Sequence, residues 1–527
     1  MARVLVTDGI SDLASDLLRE SDSIEVDSLP TLPPGELLEK IGDYDALMVR
    51  SATKVTAEVI ARGTKLRLIG RAGIGVDNID VRAATDRRVV VMNAPSGNAT
   101  TTAEHAIALL MSVSRHIPQA TASMRAGRWD KKKLKGRQVA GKTIGIIGLG
   151  NIGRIVADRL LSLKTRVVAY DPFVTEEVAA GLGVELMALQ ELLSVADYIT
   201  LHLPHTDKTH YLLDAAAFAA MKQGVYVINC ARGGIVEEAA LLDALESGKV
   251  AGAALDVYEK EPPPADHPLL SHPRVIFTPH LGASTVEAQE LVAIEIATQM
   301  RDFLETGGTT NALNAPNVPG DALRVLEPYM RLGTHLGTLA GKIHTGDITG
   351  VQVCYYGALC DLDTEAITAA AICAALNCKV DPPVNDLSAP LYARENGIAV
   401  ESTTCGEHPD FTKLVALELH GPLGTEVHGA VFGKWNMRVV YIDGYELELI
   451  PEGRLLVIKN EDRPGVIGAV GTRLGHDEVN VSRLVVGLRE GSDEALAVWS
   501  LDAPIEEGAV EALRATPGIR AVYVLEL

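Results

Sequence analysis

A glycine-rich turn between an apolar strand and a helix-like stretch constrains the fold of this chain more than any other feature. The run Thr143-Ile144-Gly145-Ile146-Ile147 is typical of a buried parallel strand, and Gly148-Leu149-Gly150-Asn151-Ile152-Gly153 follows it directly. A helix-like stretch from Ile155 to Leu163 comes next. Strand, GxGxxG turn and helix in this order indicate a dinucleotide-binding unit in an open α/β sheet.

Each glycine of this turn has a physical role in holding a dinucleotide. Gly148 allows the tight turn, Gly150 lets the backbone approach the pyrophosphate, and Gly153 lets the helix pack closely on the strand. The N-terminus of the helix that follows the turn offers its unpaired N–H groups to the phosphates. An isolated glycine pattern of this kind can also serve packing alone. The flanking strand and helix favour the cofactor interpretation.

Asp171 adds a second feature of a cofactor site. It ends the strand Arg166-Val167-Val168-Ala169-Tyr170, and a carboxylate at this distance past the glycines can accept hydrogen bonds from an adenosine ribose. It also repels a 2′-phosphate, and no arginine follows within Asp171-Pro172-Phe173-Val174 to accommodate that group. We therefore predict NAD rather than NADP as the cofactor.

Three residues that follow later strands fit the oxidation of a hydroxy acid. Such a reaction needs a base for the hydroxyl proton, and we predict that His280 is this base. Glu261 is expected to bond the far ring nitrogen, which fixes the tautomer and favours the imidazolium form. Arg232 offers a planar fork for a substrate carboxylate, and Gly233-Gly234 leaves room for close approach.

Other interpretations of these residues stay open on the sequence alone. His202 and His205 compete for the role of the base, although no nearby carboxylate is evident for either. The Arg-Gly-Gly segment could be only a turn, and Glu261, which precedes three prolines, could be a solvated loop carboxylate. The joint placement of the three residues past strands of one sheet favours the catalytic interpretation.

Charge and cysteine content exclude several classes of function. A net charge of −21 argues against binding to nucleic acid or to an anionic membrane. The 6 cysteines form no CxxC pair and no zinc-like spacing, so we predict reduced, mostly buried thiols and no metal site. The N-terminus runs into a strand without signal-peptide organisation, and no apolar run is long enough to span a bilayer. The expected location is the cytoplasm.

Alternating short strands and helical stretches predict an α/β protein with two Rossmann-like, doubly wound parallel sheets. We predict a substrate-binding domain at residues 1–97 and an NAD-binding domain at 98–282, with a long helix from Thr101 to Met124 passing between them. A helix from Val286 to Glu305 is expected to return the chain to the first domain, which then also includes residues 283–315.

The remainder of the chain predicts two further domains. A loop rich in Asn, Pro and Gly at Thr309–Asp321 marks a boundary, and residues 316–451 are expected to form a mixed α/β intervening domain. Residues 452–527 follow the order strand, helix, strand, strand, helix, strand, which predicts a small ferredoxin-like βαββαβ module.

These segments together resemble the D-2-hydroxyacid dehydrogenase family. The resemblance rests on Gly148–Gly153, Asp171, Cys230–Gly234, Leu255-Asp256-Val257, Glu261-Pro262 and Pro279–Ser284. Within the family, Arg50–Lys54, Arg71–Asn78 and the two additional C-terminal domains are similar to the long-form phosphoglycerate dehydrogenase branch, whose last domain is an ACT domain. The resemblance implies the NAD-dependent oxidation of 3-phospho-D-glycerate to 3-phosphooxypyruvate, the first step of L-serine biosynthesis.

The resemblance also implies roles for individual residues. The family's catalytic residues fall on Arg232, Glu261 and His280. Its cofactor site falls on Gly148, Gly150, Asn151, Ile152, Gly153, Asp171, Cys230, Ala231, Arg232, Asp256, His280, Gly282 and Ala283, with Asp256 facing the nicotinamide carboxamide. Its substrate site falls on Arg50, Ser51, Arg71, Gly73, Lys131, Arg232 and His280.

Assembly and regulation are implied in the same way. A homotetramer is expected, in which Lys131 could reach a phosphate across a dimer interface, although the lysine run around it could also be a solvated face. L-Serine binds the terminal module in regulated relatives, and the corresponding positions here are Asn460, Asp462 and Asn480. These three residues could instead only cap the helix and the turn.

Two rival functions remain at this point. One is a dehydrogenase for glyoxylate, hydroxypyruvate or another D-2-hydroxy acid, but the simple relatives generally end near the boundary loop at Thr309–Asp321. The other is an NADH-sensing transcriptional corepressor with the same fold and triad. That function predicts a peptide-binding groove and a disordered tail, whereas this chain ends in a segment with the pattern of an ordered module.

Overall fold

The computed structural model describes residues 1–489 and 491–527, and its N-terminal part is a five-stranded parallel sheet. The strands are β1 (Ala2–Val6), β2 (Ile24–Ser28), β3 (Ala46–Val49), β4 (Leu68–Arg71) and β5 (Val90–Asn93), and the helices between them are α1 (Asp12–Arg19), α2 (Pro34–Lys40), α3 (Ala57–Arg62) and α4 (Val81–Asp86). Their order in the sheet is β2-β1-β3-β4-β5. Because helices cover both faces, the central strands are almost wholly apolar.

Seven parallel strands form the second sheet, as the glycine turn predicted. The elements are α5 (Ala99–Arg115), α6 (Ile117–Arg125), β6 (Thr143–Ile147), α7 (Asn151–Ser162), β7 (Arg166–Tyr170), α8 (Glu176–Gly181), β8 (Glu185–Leu186), α9 (Leu189–Val195), β9 (Tyr198–Leu201), α10 (Ala215–Ala220), β10 (Val225–Asn229), α11 (Glu238–Glu246), β11 (Val250–Leu255), α12 (Pro268–Ser271) and β12 (Val275–Phe277). The strand order β12-β11-β10-β9-β6-β7-β8 reverses direction at β6, beside the glycine turn. Such a switch point is where open α/β sheets bind their ligands.

The single helix expected from Thr101 to Met124 is two helices. His116 ends α5 in a left-handed conformation with φ of +53°, and α6 begins at the next residue. Pro118 explains the break, because proline has no N–H for the helical ladder and clashes with the preceding turn.

Helix α13 (Val286–Thr306) leaves the second sheet and packs on the first. Its residues Val292 and Ile296 are buried in the same apolar cluster as Val4 and Met48 of the first sheet. After the last strand of the second sheet, the chain therefore returns to the first sheet. The cleft between the two sheets is bounded by segments that lie before and after the second sheet in the sequence.

A ten-stranded mixed sheet makes up the C-terminal part. Its elements are α14 (Gly320–Ile343), β13 (Gly350–Gly357), α15 (Glu365–Leu376), α16 (Ala389–Glu395), β14 (Ala399–Thr404), β15 (Lys413–His420), β16 (Thr425–Phe432), β17 (Asn436–Ile442), β18 (Tyr445–Leu449), β19 (Arg454–Glu461), α17 (Val466–His476), β20 (Val481–Leu488), β21 (Glu494–Leu501), α18 (Glu507–Arg514) and β22 (Ile519–Glu526). The order is β14-β13-β15-β16-β17-β18-β20-β21-β19-β22.

The last six elements confirm the predicted βαββαβ module. Strands β22, β19, β21 and β20 lie in the ferredoxin-like order, all antiparallel, with α17 and α18 on one face. The sequence did not predict that this module would share a sheet with the preceding segment. Glu446 of β18 pairs with Leu488 of β20 and joins the two halves.

Helix α14 is the largest element that the sequence analysis did not predict. It packs along α15, and its glycines allow this close approach, because a Cβ on Gly337 would collide with the backbone carbonyl of Ala371. Glycine lowers helix propensity, so the segment carries a weak local signal. Within the described residues, neither α14 nor any other helix is long and apolar enough to cross a membrane.

The prediction that all six cysteines are reduced thiols is wrong for one pair. Cys354 and Cys405 form a disulfide with a Cα–Cα distance of 6.1 Å. Cys354 lies in β13, and Cys405 directly follows the parallel neighbour β14, in which Thr403 stands opposite Cys354. The two cysteines are 51 residues apart in sequence, so only the strand pairing brings them together.

Candidate active site

The glycine turn has the geometry of a phosphate cradle. Gly148 has a left-handed φ of +95°, and a Cβ there would collide with the His202 carbonyl. A Cβ on Gly153 would collide with the Gly148 carbonyl, so this glycine lets α7 pack on the turn. At Gly150, the N-cap of α7, no atom lies within 4 Å of the Cβ position. The backbone is therefore open at the middle glycine, where a pyrophosphate would approach the helix N-terminus.

Asp171 is tied to this turn by hydrogen bonds. Its Oδ2 accepts the Leu149 N–H at 2.8 Å, and its Oδ1 accepts the Phe173 N–H at 2.9 Å. A carboxylate has about four acceptor positions, so capacity remains for the hydroxyls of a ribose. The sequence predicted that Asp171 contacts a ribose. It did not predict that Asp171 also orders the glycine turn itself.

His280 and Glu261 form the predicted pair. His280 Nδ1 lies 2.7 Å from Glu261 Oε2, and Glu261 Oε1 accepts the Tyr258 N–H at 3.2 Å. The hydrogen bond to Glu261 raises the pKa of His280 despite partial burial of the ring, which has the opposite effect. Because Nδ1 is engaged, Nε2 is the nitrogen available to exchange a proton with a substrate.

The competing histidines lack this arrangement. His202 Nε2 lies 2.9 Å from Thr200 Oγ1, and burial lowers the pKa of His202 to about 3. Such a ring is neutral near pH 7 and is a much weaker base than His280. His205 is exposed, and its Nε2 lies 3.0 Å from His210 Nδ1. Across the described residues no carboxylate is paired with either ring. The geometry therefore favours His280 as the base.

Three arginines give the cleft a concentrated positive charge. Arg71 ends β4, Arg50 follows β3, and Arg232 follows β10. Burial lowers the pKa of Arg71 to about 10, and repulsion from Arg232 and Arg50 adds to this effect. Arg232 Nε lies 3.2 Å from Asp77 Oδ2, which is a single negative partner. Like charges held this close are unfavourable unless an anion joins them.

Two glycines make room for these guanidinium groups. A Cβ on Gly73, which has a φ of +140°, would collide with the Arg71 guanidinium, and a Cβ on Gly75 would collide with that of Arg232. The prediction that Gly233-Gly234 leaves room for substrate is wrong for Gly233, because the space beside it is filled by the backbone carbonyl of Tyr258.

Asp256 lies beneath the loop that carries His280. Its side chain is 1% exposed. Oδ1 accepts the Leu281 N–H at 2.8 Å, and Oδ2 accepts the Gly282 N–H at 2.9 Å. Burial by itself would raise the pKa of Asp256, but hydrogen bonds from His105, Thr278 and Leu281 outweigh it, so the pKa is lowered. Asp256 is therefore an ionised, buried carboxylate that is saturated mainly by the protein.

A cavity of about 370 Å³ lies between the two parallel sheets and unites most of the predicted residues. Predicted residues that line it are Arg71, Asn151, Ile152, Cys230, Ala231, Arg232, Asp256, His280, Gly282 and Ala283, and the rival base His202 lines it as well. The sequence analysis did not select Ile74, Gly75, Pro95, Asn98, Thr102, Leu203 and Pro204, which also line it. Asn98 and Thr102 are spaced by four residues at the start of α5, and this spacing on one helix face was the available signal.

Other predicted residues lie outside the lining of this cavity. Ser51 and Lys131 are exposed, and Lys131 is in the turn between α6 and β6. Arg50 is held at its backbone, where its N–H donates to Asp8 Oδ2 at 2.9 Å and its carbonyl accepts from Asn78 Nδ2 at 2.7 Å.

The three predicted effector residues lie at the edge of the terminal module. Asn460 is buried, its Nδ2 donates to the Glu461 carbonyl at 2.8 Å, and its Oδ1 has no partner. Asp462 is exposed, and its N–H donates to the Asp493 carbonyl at 2.7 Å. Asn480 is exposed directly before β20. The side chains of these residues do not form hydrogen bonds with one another among the described contacts.

Comparison with known proteins shows the family of this chain. A model of the "D-isomer specific 2-hydroxyacid dehydrogenase, NAD binding domain" matches residues 107–282, and one of the "D-3-phosphoglycerate dehydrogenase intervening domain" matches residues 325–443. The chain is 40% identical over 528 residues to the D-3-phosphoglycerate dehydrogenase of Methanocaldococcus jannaschii, covering 100% of both chains. The chain belongs to the D-3-phosphoglycerate dehydrogenase family. It is also 39% identical to the Bacillus subtilis member, again over 100% of both chains.

Solved structures of other proteins share the dehydrogenase part of this fold. The TT0316 protein of Thermus thermophilus superposes with a TM-score of 0.55 and 35% sequence identity, covering 59% of this chain and 99% of that protein. NAD is the cofactor of the matched domain, and the open backbone at Gly150 and the acceptors of Asp171 suit it. In this chain the dehydrogenase unit is followed by the segment that matches the intervening domain.

Proposed function

We propose that this chain oxidises 3-phospho-D-glycerate to 3-phosphooxypyruvate with NAD⁺, the first step of L-serine biosynthesis. The observation that carries the proposal is that Arg71 and Arg232 line the same cavity as His280, while the positive charge of Arg50 acts on Arg71 from outside that lining. A substrate with one carboxylate would compensate one of these charges. A phosphate and a carboxylate on one small molecule compensate them far more completely, which favours 3-phosphoglycerate over lactate, glyoxylate or hydroxypyruvate.

In the proposed mechanism, the protein side chains orient the substrate and take its proton. Bound NAD⁺ supplies the acceptor for the hydride that leaves C2 of the substrate. Arg232 pairs with the carboxylate through two parallel N–H groups, and Arg71 and Arg50 attract the phosphate. His280 Nε2 removes the C2 hydroxyl proton as the C=O bond forms, and Glu261 stabilises the imidazolium that results. Asn151, Ile152, Gly282 and Ala283 line the cavity and would hold the cofactor there.

The substrate preference tests this proposal. We expect kcat/KM for 3-phospho-D-glycerate to exceed that for D-glycerate by about 10²-fold or more, since each charge-assisted hydrogen bond contributes about 1.5–3 kcal/mol. D-Lactate and D-glycerate, measured by NADH formation at equal pH and ionic strength, are the matched controls. Equal efficiency on D-glycerate would remove the phosphate from the assignment and leave a general D-2-hydroxyacid dehydrogenase.

We also propose the domain limits given by the sequence, at 1–97 with 283–315, 98–282, 316–451 and 452–527. The matched spans 107–282 and 325–443 fall inside two of them, and the packing of α13 on the first sheet supports the discontinuous first domain. The terminal module is assigned as an ACT domain on its βαββαβ order.

Assembly as a homotetramer is proposed on the resemblance to long-form relatives. Exposed Lys131, beside Trp129 that is 78% exposed, is available to reach the phosphate site of a neighbouring subunit. Sedimentation equilibrium would give about four times the 56.0 kDa chain mass. The proposed location is the cytoplasm.

L-Serine is proposed as an effector of the terminal module. Asn460 Oδ1 is buried without a partner, and α17 begins a few residues after Asp462, so an acceptor for an ammonium group lies near helix N–H groups for a carboxylate. Calorimetry is expected to show binding of L-serine at millimolar concentration, weakened by Asp462→Ala, with D-serine as the control ligand. Absence of heat with L-serine would leave the module as an assembly element.

A further inference from the structure

Asp256 accepts hydrogen bonds from three consecutive backbone N–H groups of the loop at His280, Leu281 and Gly282, called the catalytic loop below. Its carbonyl accepts the His280 N–H at 2.9 Å, and its two carboxylate oxygens accept those of Leu281 and Gly282 at 2.8 and 2.9 Å. His280 itself is in the left-handed region, with a φ of +54°, which costs a non-glycine residue about 1 kcal/mol or more. The position of His280 therefore depends on how firmly Asp256 is fixed.

His105 of helix α5 fixes the Asp256 carboxylate from the opposite side. Its Nε2 lies 3.2 Å from Asp256 Oδ1 and 3.1 Å from Thr278 Oγ1, and the Thr278 hydroxyl donates to the same Oδ1 at 2.5 Å. An ionised carboxylate only accepts hydrogen bonds, so Nε2 of His105 must carry the proton and donate it. His105, Thr278 and Asp256 thus form one connected network, which ends at the backbone of the catalytic loop.

The same helix lies close to the loop at a second point. Thr102 lies one turn before His105, and a Cβ on Gly282 would lie 3.4 Å from Thr102 Cγ2. Helix α5 follows strand β5 of the first sheet and packs against α7 and β11 of the second. The loop that carries the base is therefore attached to the helix that links the two sheets bounding the cleft.

We propose that His105 is a positioning residue for the dehydrogenase reaction, because its Nε2–H holds Asp256 and Thr278 in the arrangement that presents His280 to the substrate. The proposal rests on the proposed function only in assuming that His280 is the base. His105 does not line the cleft, and neither substrate nor cofactor needs to touch it. Its effect should therefore be on turnover and on the proton held by His280, with little effect on ligand affinity.

Two substitutions separate positioning from packing. His105→Phe keeps a planar ring of similar size but removes the donor, whereas His105→Gln places an amide N–H near the position of Nε2. We expect kcat of His105→Phe to fall about 10- to 100-fold, as for partners that orient a catalytic group in other sites, with KM for NAD and for 3-phosphoglycerate changed less than about threefold. His105→Gln should recover most of this loss.

His116→Asn is the matched control. It removes a histidine at the end of the same helix, and asparagine tolerates the left-handed conformation of that position. Its kcat should equal that of the unaltered chain. Equal losses in His105→Phe and His105→Gln would overturn the proposal in favour of packing, and so would full turnover in His105→Phe.

A measurement without substrate keeps this test apart from the test of the proposed function. The rate at which diethyl pyrocarbonate modifies His280, followed by mass spectrometry of its peptide across pH, reports the pKa of this imidazole. We expect that pKa to fall toward its ordinary value in His105→Phe, because the relaxed loop weakens the bond to Glu261, and to stay raised in His105→Gln and His116→Asn. An unchanged His280 titration in His105→Phe would refute positioning, whichever hydroxy acid proves to be the substrate.

Discussion

Replacing His280 with alanine is expected to lower kcat by about 10²- to 10⁴-fold, the usual contribution of a positioned acid–base group. Among the described residues, His280 is the only histidine lining the cleft that has both a carboxylate partner and a free ring nitrogen, and the substitution removes it. The other histidine there, His202, has a pKa lowered by burial and is a weaker base. The affinity for NADH, measured by fluorescence titration, should change little, because the glycine turn and Asp171 remain in place. Turnover near that of the unaltered enzyme would rule out His280 as the base.

The direction of the His280 pKa shift gives this prediction a pH signature. Its pKa is raised, chiefly by the hydrogen bond to Glu261, and oxidation requires the neutral ring. The rate of oxidation should therefore increase with pH through a midpoint above the ordinary value of about 6.5, while the reverse reduction, which needs the imidazolium, should decrease. Glu261→Gln, the companion variant, should cost less than His280→Ala and lower the midpoint, because an amide orients the ring without stabilising its charge. A midpoint that does not move would argue against the pair.

The parts of the site that depend on neighbouring residues in sequence could be predicted from the sequence. Gly148, Gly150 and Gly153 act within one turn, so their spacing is enough to assign them their separate roles. Residues that follow the ends of parallel strands, such as Arg232 and His280, are also predictable, because all such ends meet at one edge of the sheet.

Features that depend on distant parts of the chain were not predictable. His105 meets Asp256 across 151 residues, and nothing in the sequence of α5 distinguishes it from an ordinary helical histidine. The Cys354–Cys405 pair needs the parallel pairing of β13 and β14, and the ten-stranded sheet needs a contact between two separate modules. The wrong prediction that the space beside Gly233 is open to substrate has the same cause. The backbone of Tyr258, which fills that space, belongs to a different loop.

The arginine cluster leads to the second prediction of large effect, which combines lost activity with unchanged or increased stability. In Arg71→Met, an apolar chain of similar length replaces a buried guanidinium whose Nε has no hydrogen-bond partner and whose pKa is lowered by burial and by its neighbours Arg232 and Arg50. Removing this charge relieves repulsion in the free enzyme, so we expect a Tm equal to or above that of the unaltered chain. Active sites commonly retain such unfavourable groups because the ligand compensates them.

Activity should change in the opposite direction. We expect kcat/KM of Arg71→Met for 3-phospho-D-glycerate to fall about 10²- to 10³-fold, the loss of one or two charge-assisted contacts of about 1.5–3 kcal/mol each, with KM for NAD unchanged. D-Glycerate separates the two ends of the substrate, because an arginine that binds the phosphate has little effect on a substrate without one. Arg71→Lys keeps the charge without the bidentate fork, so its kcat/KM for 3-phospho-D-glycerate should lie between those of the unaltered chain and of Arg71→Met. If Arg71→Met lowers Tm and weakens NAD and both acids equally, the arginine supports the fold, and the charge argument for a phosphorylated substrate loses its basis.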